Sequence, residues 1–236
     1  MWGRMINRQR TPELMDQPGL DPSEHAAALR GLKRIHKISL SERYFIKALE
    51  TIAKSQSGRP LRVLDMACGG GDLLCSLVIK ARSKGWNIAA EGCDFSDQAV
   101  QIATENARNH GVSARFFQWD ALQGPLPEKY DVIVNSLFLH HLDESQVVTV
   151  LRNMADSVSH MIVVDDLIRS RWGYVMAKVG CHLLSRSPIV HFDGPVSVKA
   201  AFSLAEISDL ASQAGLSGVH IQKHWPERFI LTWQAS

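Results

Sequence analysis

Val63-Leu64-Asp65-Met66-Ala67-Cys68-Gly69-Gly70-Gly71-Asp72 is an apolar run ending in an acid, then a glycine-rich turn, then the start of a helix. Glycine has no Cβ, so a ligand can approach its backbone closely and a tight turn can take positive φ. The helix behind the turn presents free N–H groups at its start. A dinucleotide fingerprint would read GxGxxG, with its acid about 20 residues later. Here the acid, Asp65, comes before the turn, which disfavours a pyrophosphate and suits a cationic or zwitterionic ligand.

Working outward, β-rich runs occur at 62–66, 88–93, 114–118, 132–135 and 161–164. Helix-like segments fall at 72–84, 97–109 and 143–158. Repeated strand–helix–strand units require parallel pairing with right-handed crossovers. A helix over 203–215 follows, then two strands, 218–223 and 228–233, joined by a short turn containing Pro226. The expected fold is α/β, with helices on both faces of a mostly parallel sheet and an antiparallel hairpin at one edge. Ahead of the first strand, Asp21-Pro22-Ser23-Glu24 reads as the start of a helix running to about Lys37, with a second helix through Lys54. The expected boundaries are an N-terminal arm and helical cap over 1–58, a main domain over 59–236, and a helical lid insert over about 167–202.

The 236 residues carry 26 Lys plus Arg against 24 Asp plus Glu, a net charge of +2. This balance gives no reason to expect nucleic acid as a partner. Cys68, Cys75, Cys93 and Cys181 form no CxxC pair and read as small buried hydrophobes in a reducing cytoplasm. The N-terminus has no signal-peptide core, and the weakly polar stretch Trp172–Leu184 is shorter than the roughly 20 residues of a membrane span. Met5 is a second candidate start.

Two further acids follow strands, Asp94 in Glu91-Gly92-Cys93-Asp94 and Asp120 in Gln118-Trp119-Asp120-Ala121. Acids after three successive strands line the sheet edge where ligands bind in open α/β folds. From Leu61 to Trp233 the chain resembles the class I S-adenosylmethionine-dependent methyltransferases, on VLDMACGGGD and the acids that follow it. Ala67 stands where the family's first glycine would be. The resemblance implies a Rossmann-like seven-stranded sheet of order 3-2-1-4-5-7-6 with its last strand antiparallel. It also implies S-adenosyl-L-methionine as cofactor and S-adenosyl-L-homocysteine as product. Asp65, Ala67, Gly69 and Gly71 would then serve the amino-acid end of the cofactor. Asp94 would take the ribose hydroxyls, with Phe95 against the adenine. Asp120 would take the adenine amine, with Trp119 beside the ring and Asn135 near the methionine part. Arg10–Asp16 and Leu29–Ile35 resemble a group of bacterial enzymes of polyketide or quinone-type biosynthesis.

Candidates for acceptor chemistry lie beyond the fourth and fifth strands. His140 and His141 follow Asn135-Ser136-Leu137-Phe138-Leu139, and a base near neutral pKa helps a hydroxyl lose its proton. Of the two acids ending the fifth strand, Asp165 is preferred as the group that orients a histidine, leaving Asp166 to cap the next helix. Adjacent carboxylates also occur in metal-dependent catechol O-methyltransferases, but further ligands are missing, so no metal is expected. Trp172 and Met176 in the insert are candidate acceptor contacts, as is His191 in His191-Phe192-Asp193-Gly194, read as a pocket-side loop. The insert's apolar surface would serve as a lid, a homodimer contact or a membrane-surface helix. The expected reaction is O-methylation of a phenolic, quinol or polyketide-like small molecule. C-methylation of an aromatic or quinone precursor is the near alternative, and a non-catalytic cofactor-binding protein the distant one. The Asn/Asp-Pro-Pro-aromatic motif of many amino-group methyltransferases is absent from 135–138.

Overall fold

The computed structural model describes residues 7–15, 21–55 and 58–235. Met5 lies outside them, and so do the side chains of His25 and His36. Seven strands form one sheet: β1 (Leu61–Met66), β2 (Ile88–Asp94), β3 (Ala114–Gln118), β4 (Tyr130–Ser136), β5 (Val158–Leu167), β6 (His220–His224) and β7 (Arg228–Gln234). Their order is β3-β2-β1-β4-β5-β7-β6. The first five pair in parallel, and β7 runs antiparallel to both β5 and β6. β5 continues past Val164 because β7 pairs with it as far as Leu167 opposite Arg228. Both Asp165 and Asp166 are therefore strand residues, and Asp166 does not cap a helix.

Alternation along the strands feeds two apolar layers. Leu64, Met66, Ile133, Ile162 and Val164 pack on α5 (Glu144–Ser157) and α8 (Leu204–Gln213), around Val147, Leu151, Met154, Ile207 and Leu210. Val63, Val132, Val134 and Val163 face the opposite way, onto Phe45 and Leu49 of α2 (Glu42–Ser55) and Leu74 and Leu77 of α3 (Asp72–Ser83). Ala107 of α4 (Asp97–Asn109) completes that side. Local caps fix where these helices begin. Ser96 accepts from the N–H of Ala99, and Asp143 with Gln146 and Ser203 with Glu206 form reciprocal capping boxes.

A smaller cap stands apart from this sandwich. It consists of α1 (Pro22–Ser39), α6 (Arg171–Leu184) and α7 (Pro188–Ala200), joined through Ala28, Cys181, Ile189 and Val190. Close packing comes from missing side chains. A Cβ on Gly31 would lie 2.3 Å from Ser185 Oγ, and one on Gly194 would lie 2.3 Å from Cys181 Sγ. His191-Phe192-Asp193-Gly194 is not a loop but part of α7, which Pro188 starts. The turn-prone Asp193-Gly194 pair, which favours the loop expected there, is overridden by packing against α6.

Candidate active site

The carboxyl ends of β4, β1, β2 and β3 bring the predicted cofactor residues to one edge. Ala67, Gly69 and Gly71 have φ of 55°, 50° and 72°. The turn is thus left-handed at three points, which for Ala67 carries the usual cost of a Cβ there. At Gly71 a Cβ would also meet Ala103 and Phe116 at 3.0 Å. Asn106 of α4 anchors the turn by donating to the Gly70 carbonyl at 2.9 Å. Asp94 accepts from the N–H groups of Gly69 (2.9 Å) and Ser96 (3.0 Å). The Trp119 N–H donates to the Asp94 carbonyl at 2.9 Å, and the Gln118 amide to the Phe95 carbonyl at 2.8 Å. These bonds hold the loops after β2 and β3 side by side, with Phe95 largely exposed at their rim. Asp120 closes its own turn by accepting from the N–H of Leu122 at 2.9 Å.

The chemistry of this edge shows what it can hold. Asp65 is buried, and among the described residues no cation is paired with it. Burial, reinforced by the neighbouring Asp94, pushes its carboxyl up to about 8. Asn135 is fully buried; its amide donates to the Met66 carbonyl at 2.7 Å, while its Oδ1 has no donor. The Trp119 indole N–H is also buried without an acceptor. A buried acid without a counter-cation and a buried amide oxygen without a donor suit an ammonium-bearing ligand with hydroxyls. A pyrophosphate would meet two carboxylates instead.

The acceptor-side residues fall on the adjoining β4–β5 edge. His140 and His141 lie in a short 3-10 turn, Leu139–His141, just past β4. His140 is buried, and its Nδ1 lies 2.6 Å from Asp166 Oδ1. Its backbone N–H donates to Asp166 Oδ2 at 3.1 Å. A carboxylate only accepts, so Nδ1 carries the hydrogen and Nε2 is the nitrogen left for chemistry. Nε2 faces Glu13 Oε1 at 3.8 Å. Burial pulls the His140 pKa down, but Asp166 and Glu13 outweigh it and hold it above the ordinary value. Burial and the adjacent His140 push His141 down to about 3, so it is a neutral ring at neutral pH. Glu13, His140 and His141 bring polar atoms within 4.8 Å of one another.

The preference for Asp165 is corrected here. Consecutive residues of an extended strand point to opposite faces, so only one of the two acids can meet His140, and it is Asp166. Asp165 points the other way, into a buried network with His224 Nε2 (2.7 Å), Ser136 Oγ (3.1 Å) and the Arg228 guanidinium. That network ties β5 to the end of β6 and the start of β7.

Of the three candidate acceptor contacts, His191 lies away from this edge. Trp172 is exposed on α6, with Met176 half-buried one turn on. His191 stacks on His182 at 3.9 Å and bonds the Ser185 carbonyl at 2.8 Å, at the far end of α7 from His140. Nine residues of helix, about 13 Å, separate it from Ala200, whose carbonyl accepts from Arg8 beside the His140 turn.

What the sequence did not reveal is where the arm docks. Arg8 donates to the carbonyls of His140 (3.0 Å), Leu142 (2.5 Å) and Ala200 (2.5 Å), and stacks over Phe202 at 3.8 Å. Arg10 donates to the His141 carbonyl at 2.6 Å. Asp193 accepts from the N–H groups of Leu14 (2.7 Å) and Met15 (3.1 Å). These contacts carry Glu13 to the mouth of His140. They span more than 130 positions of chain, and no local pattern marks them.

Comparison with known proteins agrees with this architecture. The family described as "Methyltransferase domain" matches residues 63–160. The demethylmenaquinone methyltransferase of Thermus thermophilus is 39% identical over 69 residues, 29% of this chain and 30% of that protein. The ubiquinone biosynthesis O-methyltransferase of Aeromonas salmonicida is 27% identical over 169 residues, 67% of this chain and 66% of that protein. The chain thus spans about a third of the first relative and about two thirds of the second. Among solved structures, a plantazolicin methyltransferase in complex with a triazolic desmethyl analogue and S-adenosylhomocysteine covers 91% of both chains, at TM-score 0.66 and 16% identity. Residues 63–160 thus match a methyltransferase domain, and the 3-2-1-4-5-7-6 sheet with its acid–glycine turn between β1 and α3 is similar in fold to the S-adenosylmethionine-dependent methyltransferases.

Proposed function

We propose that this chain methylates a hydroxyl of a small phenolic, quinol or polyketide-like acceptor, with His140 as the base and Asp166 as its orienting carboxylate. The observation that carries this reading is the buried Asp166–His140 pair, with Nε2 turned away from Asp166 and toward Glu13. When bound, S-adenosylmethionine supplies a methyl group already activated by its sulfonium.

Asp65 and the Asn135 Oδ1 would hold the ammonium of that cofactor, the 69–71 turn its carboxylate, Asp94 the ribose hydroxyls, and Asp120 with Trp119 the adenine. Asp166 holds the His140 ring in one tautomer and orientation. His140 Nε2 takes the acceptor's proton as the oxygen becomes nucleophilic, a contribution of about 10²–10⁴ in rate for a positioned base. Glu13 stands beside this nitrogen, held there by Ser197 Oγ donating to its Oε1 at 2.5 Å. Relatives named for quinone-type methylation support an acceptor of this class.

The test is a methyl-transfer assay with S-adenosylmethionine over a panel of phenols and quinols, with product NMR to separate O- from C-methylation. His140→Ala and Asp166→Asn should both lower kcat while leaving S-adenosylhomocysteine binding intact. Activity should rise with pH as His140 loses its proton, above the ordinary histidine range. Full activity in both variants would remove the base from the mechanism, and a C-methyl product would reassign the reaction.

A further inference from the structure

We propose that the outer face of α6 docks on an anionic lipid bilayer. A helix belonging wholly to a core turns its large apolar residues inward, and α6 does the reverse. Its buried positions are the small Gly173 and Cys181. A Cβ on Gly173 would already lie 3.0 Å from Ser170 Oγ and 3.2 Å from Glu227 Cβ. Its outward positions are Trp172, Val175, Val179 and Leu183, with Trp172 62%, Val179 53% and Leu183 78% exposed. At 3.6 residues per turn these four fall within an arc of about 80°, a single stripe. Trp225, 54% exposed, sits on the β6–β7 turn, which is tied to the start of α6 by Ser170 donating to Glu227 at 2.6 Å.

Charge identifies the occupant. Between Asp166 and Asp193 the chain has no acid, while Arg171, Lys178 and Arg186 are exposed cations. Arg171 and Lys178 project on one side of the apolar stripe by the same helical geometry. The neighbouring α1 adds exposed Arg30 and Arg34, and Arg34 donates to the Leu184 carbonyl at 2.7 Å. A second copy related by a two-fold axis would bring these cations against themselves. Val179 and Leu183 offer nothing to a nucleic-acid backbone. An apolar stripe flanked by cations, with tryptophan at one end, is the composition of a helix lying in a membrane interface. On the methyl-transfer reading, such docking would suit an acceptor with a long apolar tail, but the docking itself does not rest on that reading.

The experiment is co-sedimentation of the full chain with vesicles of phosphatidylcholine alone or mixed with phosphatidylglycerol. Binding is expected to the mixed vesicles, weakened by high salt. Replacing both Val179→Asp and Leu183→Asp should abolish it, and each of Arg171→Gln and Lys178→Gln should weaken it about fivefold. Circular dichroism and S-adenosylhomocysteine binding check that each variant is folded. The proposal is overturned by absence of binding to anionic vesicles, or by undiminished binding of the Val179→Asp/Leu183→Asp chain. It is equally overturned by a lipid-free dimer that this double variant dissociates, since the face would then belong to a second copy.

Discussion

Leu151 of α5 and Val190 of α7 are both fully buried, but in different surroundings. Leu151 lies in a continuous apolar layer shared by two helices and most of the sheet. Val190 belongs to a cluster whose other buried members are Ala28, Cys181 and Ile189. At about 1.5–3 kcal/mol for each large aliphatic buried, that cluster contributes little beyond Ile189 and Val190. Polar straps make up the difference: Arg8 on three carbonyls, Arg34 on Leu184, and Asp193 on the arm's N–H groups. The sandwich is held by area, and the cap and arm by specific bonds and by glycines that let helices touch. A region held in the second way can open without melting the first.

The sharpest test of that contrast is at the two adjacent acids. Asp165→Asn weakens the partner of the buried Arg228 and His224 and should destabilise the whole sheet, by up to about 3–5 kcal/mol where a buried pair is broken. Asp166→Asn should act mainly on kcat, and equal effects of the two on denaturant midpoint and kcat would dissolve the distinction. Leu151→Ala should cost about 2–5 kcal/mol of global stability, read from urea unfolding. Gly31→Ala should cost about 1–3 kcal/mol by overpacking against Ser185, with amide-exchange protection lost in α1, α6 and α7 but not in β1 or β4. Uniform loss of protection would show that cap and sandwich unfold as one.

The smallest effect concerns the cofactor edge. The folded protein holds the Asp65 proton up to about 8, far above the unfolded carboxylate range. The folded state therefore binds this proton more tightly than the unfolded one. The ligand-free contribution of Asp65 to stability is greatest below the ordinary carboxylate pKa and declines as pH rises toward 8. An ammonium-bearing ligand favours the ionised form, so S-adenosylhomocysteine binding near neutral pH should release a proton. Calorimetry in buffers of different ionisation enthalpy measures it. Binding without proton release would place the ammonium away from Asp65.

The alternation of Val63 to Met66, the spacing of acids after successive strands and the glycine turn are local patterns, and each survives in the fold because the sheet buries both faces. They made the sandwich, and the gathering of these acids and the glycine turn at one sheet edge, legible from the chain alone. The Asp-Gly pair at 193–194 misled because helix packing against Cys181 outweighs turn propensity there. Choosing between Asp165 and Asp166 needed to know which face of β5 meets the β4 turn. That is set by pairing with β7 some 60 residues on, which no neighbouring residue encodes. The sequence by itself determined the mostly parallel sheet, its antiparallel edge hairpin and the line of acids, because hydrophobic period and turn chemistry are written residue by residue; the strand order was implied only by the family resemblance. Only the tertiary structure decided which acid orients His140, that Glu13 covers it, and that α6 turns its largest apolar side chains outward. Those depend on contacts between distant segments, whose geometry exists only once the chain has packed.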